Sequence, residues 1–381
     1  MKYILNDIAV ITSSKRIFAN EYQSTGIPFY RGKEITQLYN HKAFSDLLYI
    51  SEKKYNELIQ NVGVPQENDI LITAVGTIGS LYLVNKDDKF YFKDGNLIWL
   101  KNIDKTKVIP KYLYYLLSTD ETHSLIDSIT IGSTQTALTI EGVKMLNFDF
   151  PELKVQQHIV DTIGSIDDLI EKNNEIILKT HNLINNIYLK ETNNLELVKI
   201  SNLNYFKICK SGIYEFENNK IYLDTAAVSD INIIDESYII DYEGRPSRAN
   251  MQPKENTIWF AKLKDSPKYI LIKNQKNLID NFIFSTGFMG LESENFIVNY
   301  LYVLILSKSF TNQKNLLSNG ATMQGINNEI FNNILVPNVS YNEAKEIGKR
   351  LEVYVDLICE LQEKNNKLKD LKHLLLQKYF G

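Results

Sequence analysis

Five histidines (His41, His123, His158, His181 and His373) and two cysteines (Cys209 and Cys359) are the side chains best suited to proton transfer, nucleophilic attack or metal binding. Their spacing supports none of these. No Cys/His cluster has zinc-ligand spacing, and no Walker A loop, G-x-S-x-G elbow, H-E-x-x-H helix or Asn/Asp-Pro-Pro-aromatic run of an amino-methyltransferase is present. "GTIGS", Gly76 to Ser80, carries two glycines in a context that reads as a turn between strands rather than a phosphate cradle. No catalytic and no metal-binding residue is expected on this chain.

The bulk composition narrows the class further. With 381 residues, 44% hydrophobic and 23% charged, the chain is long enough for two compact domains and too apolar to be disordered. Two cysteines give no disulfide framework, which points to a reducing compartment and hence the cytoplasm. The start, "MKYILNDIAV", lacks the apolar core of a targeting segment, and no apolar run reaches spanning length, so no membrane is expected. A net charge of −4 argues against indiscriminate coating of nucleic acid, which needs a basic excess. It leaves room for a specific reader with lysines and arginines gathered on one face.

The strongest signal is repetition. "PQENDILI" (Pro65 to Ile72) returns as "PKENTIWF" (Pro253 to Phe260), 188 residues on, and the same shift lays "PKYLYYLLST" on "VNYLYVLILS" with Tyr-Leu-Tyr in register. It also places Gly132 and Thr134 of "GSTQTA" on Gly320 and Thr322 of "GATMQG", and Ile159 on Ile347. A period this long excludes a solenoid and implies duplication of a whole domain. Each copy reads as short strands between turn residues, a Tyr/Leu-rich helix, a Gly-Ser/Thr loop, a strand ending at proline, and then a long helix.

In the first long helix the seam positions are Ile159, Ile163, Ile166, Ile170, Asn173, Ile177, Thr180, Ile184 and Ile187, alternating four and three as in a coiled coil. The second offers Ile347, Leu351, Tyr354, Ile358, Leu361, Asn365 and Leu368, continuing to Leu371 and Leu375. Two such seams satisfy each other. Asn173 and Asn365 fall within a shared "EKNN", either as a buried pair that fixes register or as residues at a wet edge. A helix from about residue 152 to 190 would be on the order of 58 Å long at ~1.5 Å per residue. The expected fold is α+β, internally duplicated and pseudo-two-fold symmetric, with two globular domains separated by a long antiparallel coiled coil. Its boundaries are 1–150, a spacer helix 151–193, 194–336 and a spacer helix 337–381.

The stretches "GIPFYRGKEI", "ENDILITAVGTIG" and "GSTQTALTIEGVKMLNFDFPELKVQQHIVDTIGSIDDLIEKNNEI", with "IYLDTAAVSD" and "GATMQGINNEIFNNILVP" in the second copy, resemble the specificity subunits of type I restriction–modification systems. The resemblance spans essentially the whole chain. It implies a non-catalytic subunit with two target recognition domains, each reading one half of a split site in double-stranded DNA. It further implies that the helices dock two methyltransferase subunits carrying S-adenosylmethionine, and that translocating restriction subunits can join. The second copy departs from the first where "ITAVGTIG" becomes "FAKLKDSP" and both glycines are lost, so a different loop is expected there.

Reading a sequence requires side chains that reach base edges and cations that hold phosphates. In the first domain the candidates are Lys15, Arg16, Tyr30, Arg31, Lys33, Thr73, Thr77, Thr134 and Gln135. In the second they are Lys210, Arg245, Arg248, Lys262, Lys264, Lys268, Thr322 and Gln324. The competing reading is a scaffold without DNA binding, in which the coiled coil holds two protein partners at a fixed separation.

Overall fold

A computed structural model describes residues 1–39, 44, 46–132, 136–320 and 324–381. The chain divides into two compact units, Met1–Leu169 with Lys367–Gly381, and Ile170–Asn366. Both long helices, Leu153–Thr192 and Tyr341–Phe380, pass from one unit into the other. Each helix has 40 residues, about 60 Å at ~1.5 Å per residue.

The first unit is built on an antiparallel sheet in the order Val10–Thr12, Leu97–Lys101, Ile70–Thr73, Leu81–Leu83. Alternation along the central strand sends Ile70 and Ile72 to one face and Leu71 to the other. Both faces are covered: the isoleucines join the cluster that contains Leu113 and Leu117 of helix Pro110–Leu117, while Leu71 packs with Trp99 and Phe92. Burial on both sides explains a continuous apolar strand. The second unit repeats this sheet strand for strand, as Phe206–Ile208, Phe288–Ser293, Thr257–Ala261 and Tyr269–Ile272, under helix Asn295–Leu306.

The repeated octapeptide lies at the centre of both sheets, where the two copies reach the same packing by different residues. In the first unit Leu71 pairs across the sheet with Trp99, whose indole Nε1 donates to the buried Asp69 carboxylate at 2.8 Å. In the second, the residue at the Leu71 position is Trp259, and it pairs with Gly290. A Cβ on Gly290 would stand 2.7 Å from the Trp259 ring, so in this unit the tryptophan stands on the central strand and the position facing it is glycine. The indole still needs an acceptor in a dry core. Thr257, which occupies the Asp69 position, supplies its hydroxyl oxygen at 2.7 Å.

Where the copies diverge is the second sheet. In the first unit Ile27–Tyr30 pairs antiparallel with Leu48–Ile50 and parallel with Tyr91–Phe92, and helices Gly32–Tyr39 and Glu52–Asn61 are inserted. In the second, Lys220–Leu223 makes the corresponding pairs with Ile239–Ile240 and Phe282–Ser285. Its insertions are strands, Val228–Ser229 with Asn232–Ile233, and Ala249–Met251 on the sheet edge.

The long helices run antiparallel in each unit. In the first, Asp167 meets Lys372 at 2.6 Å and His158 packs edge-on against Tyr379; in the second, Asn173 meets Asn365 and Glu191 meets Arg350 at 2.8 Å. The seam residues Ile159, Ile163, Ile166, Ile170, Asn173, Ile177, Ile184, Ile347, Leu351, Ile358, Leu361 and Asn365 are buried as the periodicity requires. The remaining positions differ. Tyr188 rather than Ile187, and Val355 rather than Tyr354, are the deeply buried residues, and Leu371 is exposed while Leu368 is half-buried. A straight helix drifts by roughly 20° per heptad against a strict 3.5-residue repeat, which shifts the buried stripe at Tyr188 and Leu371, towards the helix ends.

The asparagine pair is inside the seam rather than at a wet edge. Asn173 and Asn365 are 6% and 5% exposed; Asn173 Nδ2 donates to Asn365 Oδ1 at 2.7 Å, and Asn365 Nδ2 donates to Asn174 Oδ1 at 2.9 Å. Replacing Asn365 alone by leucine leaves the Asn173 amide without its acceptor and is expected to cost about 1–3 kcal/mol in urea unfolding. Converting Asn173 to leucine as well should recover most of that loss, because a matched apolar pair is no less stable than a buried polar one. A double variant no more stable than the single one would contradict this account.

Candidate nucleic-acid interface

In each unit the turn that follows the central strand lies beside the Gly-Ser/Thr loop. The first unit brings the hairpin 74–80 beside Ile131, Ala137 and Leu138: Val75 and Ile131 both bridge to Ala137, and Leu138 N donates to Ala74 O at 2.9 Å. The second brings the hairpin 262–268 beside Asn319 and residues 324–326, with Leu263 and Asn319 bridged to Gly325 and Ile326 N donating to Lys262 O at 3.1 Å. Two segments separated by more than 50 residues thus form one surface in each copy. Thr134, Gln135 and Thr322 lie outside the described residues.

The first hairpin turns on Gly76 and Gly79, whose φ angles of +81° and +87° favour glycine. At Gly79 a side chain would also strike His123, 2.9 Å from a Cβ. Thr73 is fully buried: its hydroxyl donates to Thr77 O at 2.5 Å and accepts from Ser80 N at 2.8 Å. Expected from sequence to face a ligand, it instead anchors the turn from beneath, and Thr77 is the exposed residue.

The cations of this unit are mostly tied to carboxylates. Arg16 Nε lies 2.9 Å from Asp94, Arg31 binds the fully buried Glu34 at 2.6 Å and Asp46 at 3.3 Å, and Lys33 reaches Asp46 at 3.4 Å. The bond to Glu34 raises the already high Arg31 pKa, and Arg31 in turn lowers that of Asp46. Such pairing fixes the start of helix Gly32–Tyr39 but cancels the charge a phosphate would use. Tyr30 stacks on Phe90 at 4.5 Å, and burial pushes its hydroxyl up to about 12. Lys15 is exposed.

Two cations of the second unit, Lys262 and Lys268, have backbone carbonyl partners. Lys262 Nζ donates to Thr286 O at 2.8 Å, and Lys268 Nζ donates to Thr225 O. Arg248 is exposed over the 285–287 turn: a Cβ on Gly287 would lie 3.1 Å from its Nη2 and 3.0 Å from Thr225. Burial, and after it the charge of Arg248, lowers the Lys262 pKa, which marks two like charges brought close together. The carbonyl partner of Lys262 positions that cation without neutralising it. Lys264 joins the neighbouring loop, its Nζ donating to Gln324 Oε1 at 2.9 Å and its N–H to Gln324 O at 2.9 Å. Arg245 turns back over the Tyr242 ring, 4.0 Å from its centroid, and Lys210 is exposed.

Two residues behind this surface carry no motif in the sequence. Lys314, on helix Lys308–Leu317, is 2% exposed and donates to three carbonyls of the hairpin: Ala261 at 3.1 Å, Leu263 at 2.9 Å and Ser266 at 3.2 Å. Burial pulls its pKa down to about 8. Its neighbour Asn315 accepts from Asp265 N at 3.0 Å and donates to Asp265 Oδ1 at 2.8 Å. The 188-residue shift carried the signal, since it lays Lys314 on Ile126, a buried residue of the first unit's corresponding helix.

Away from this surface the titratable groups serve packing. Burial lowers His181 to about 4, and its Nε2 sits 2.9 Å from the hydroxyl of buried Tyr302. Both cysteines are buried and unbridged. Among the described residues no group of His, Cys, Asp and Glu could hold a metal ion, and no helix is long and apolar enough to cross a membrane.

Comparison with known proteins places this architecture. Residues 1–181 match the family model for the type I restriction modification DNA specificity domain. A Haemophilus influenzae protein described as a type I restriction enzyme specificity subunit is 32% identical over 166 residues, 43% of this chain and 40% of the relative's length. The crystal structure of the type I restriction-modification S subunit from M. genitalium superimposes with a TM-score of 0.56 at 17% identity, covering 100% of this chain and 96% of that one. The likeness of fold therefore extends through the second unit, beyond the segment matched in sequence. The chain thus carries a type I restriction modification DNA specificity domain over residues 1–181, followed by a second unit built on the same plan.

Proposed function

We propose that the chain is the DNA-reading subunit of a type I complex, each unit reading one half of a bipartite, non-palindromic site. The observation that carries this reading is the paired surface: the same hairpin and loop are juxtaposed in both units, on matching sheets, with different side chains. A duplicated frame with divergent loops suits two half-sites of different sequence. In the second unit Arg248 and Lys262 supply charge for phosphates, and Lys264 with Gln324 supplies groups of the kind that pair with base edges.

The methylation chemistry belongs, in this proposal, to two methyltransferase subunits docked on the long helices, which bring S-adenosylmethionine and the adenine-methylating site to the complex in the cytoplasm. Restriction subunits complete it. The 40-residue helices set the gap between half-sites.

Purifying the chain with its methyltransferase and mapping methylated adenines across a genome tests the reading. The expected result is one split motif with a fixed spacer, and no such motif without this chain. Methylation that is unchanged without the chain would exclude a reading role. Inserting four residues near Thr180 adds about 6 Å of helix and should widen the spacer by one to two base pairs, at ~3.4 Å per pair, with the bases read unchanged.

A further inference from the structure

We propose that Lys314 and Asn315 form a clamp that sets target specificity in the second unit by holding the 262–268 hairpin in one conformation, without touching DNA themselves. The inference rests on the reading function above and goes beyond it, because it assigns specificity to two residues behind the reading surface.

The two hairpins span the same number of residues between equivalent strands but are held by opposite means. In the first unit the anchor is on the strand: Thr73 beneath the turn, with Gly76 and Gly79 absorbing the left-handed conformations. In the second, Ala261 occupies the Thr73 position and has no hydroxyl, while Lys264 and Pro267 stand where the glycines were. The tip instead bends at Asp265, φ +51°, a conformation that costs a non-glycine residue free energy unless something holds it.

Asn315 holds it, gripping Asp265 at both its N–H and its carboxylate. Lys314 gathers the carbonyls of Ala261, Leu263 and Ser266 around a single ammonium, so the backbone on both sides of the tip converges on one point. Between these grips lies Lys264, which pairs with Gln324 through side chain and backbone alike. The clamp therefore fixes the two outward groups best suited to a base edge, from a helix whose own contacts are with the hairpin's interior. A reading group displaced by about an ångström loses its discrimination before it loses its affinity for phosphates.

The test uses the chain in complex with its methyltransferase, comparing methylation of the mapped site with methylation of sites altered by one base pair in either half. For Asn315→Ala, discrimination at the half read by the second unit should fall about tenfold, with the first half unchanged. The salt dependence of DNA binding should also stay the same, since no phosphate contact is lost. Lys314→Met should act in the same direction and more strongly. If Lys314→Met does not fold, Asn315→Ala alone decides. Full discrimination at both halves in folded Asn315→Ala would overturn the clamp, as would equal loss at the two halves. A wild-type complex without bipartite preference would refute the reading function itself, which separates the two failures.

Discussion

Gly348→Ala should destabilise the second unit by about 3 kcal/mol, whereas Gly164→Ala, the same change in the other long helix, should be close to neutral. A Cβ on Gly348 would sit 1.9 Å from the carbonyl oxygen of Phe296 and 2.7 Å from its carbonyl carbon. That is backbone against backbone, and no side-chain rotation relieves it. Helix Asn295–Leu306 cannot retreat, because Ile297, Tyr300, Leu301 and Leu304 are buried in the same core and Asn299 Nδ2 donates to Gly348 O at 3.1 Å. Alanine's better helix propensity, worth up to ~1 kcal/mol, does not offset such overpacking. At Gly164 the nearest obstacle is Lys111 Nζ at 3.2 Å, the end of a chain that can swing aside. Each unit holds one tryptophan, Trp99 and Trp259, so fluorescence-detected urea unfolding in a Trp99→Phe background reports on the second unit. Equal effects of the two glycine substitutions would refute the close-approach argument.

The second large effect concerns DNA. Arg248→Ala in the methyltransferase complex should weaken binding to the mapped duplex about tenfold at physiological salt and reduce the salt slope by about one. Combining it with Lys262→Met, which keeps the aliphatic stem and removes the charge, should bring the loss to about a hundredfold. Arg16→Ala in the first unit should change affinity by less than about threefold, because its charge is already spent on Asp94 at 2.9 Å. Fluorescence anisotropy across a salt series measures all three. A larger loss from Arg16→Ala than from Arg248→Ala would invert the charge argument and with it the assignment of the phosphate-holding surface.

The asymmetry between the two surfaces was invisible in the residue types. "FYRGK" and "GRPSR" look alike as basic runs, and only the fold shows Arg31 bound to a buried Glu34 three residues on, and Arg248 lying over a turn of another strand pair. The fold also decides which distant groups reach a cation, as Asp94 reaches Arg16 from 78 residues along the chain. Thr73 shows the same limit: a threonine beside a two-glycine turn looks exposed until the strand that carries it proves to be covered on both faces.

By itself the sequence determined the duplication, the paired helices and the position of the polar step at Asn173 and Asn365. These depend on periodicity and on repeated segments, and an amphipathic period of three and four has one stable use when two copies occur in one chain. Tertiary structure alone decided how the copies compensate for their differences. The core tryptophan is Trp99 on one strand in the first unit and Trp259 on the neighbouring strand, facing Gly290, in the second, and the turn is anchored by Thr73 in the first and by Lys314 in the second. Each arrangement depends on residues that touch in space but lie on different strands or helices. A core must be filled and its carbonyls satisfied as a whole, so one position is explained only by its neighbours across the fold.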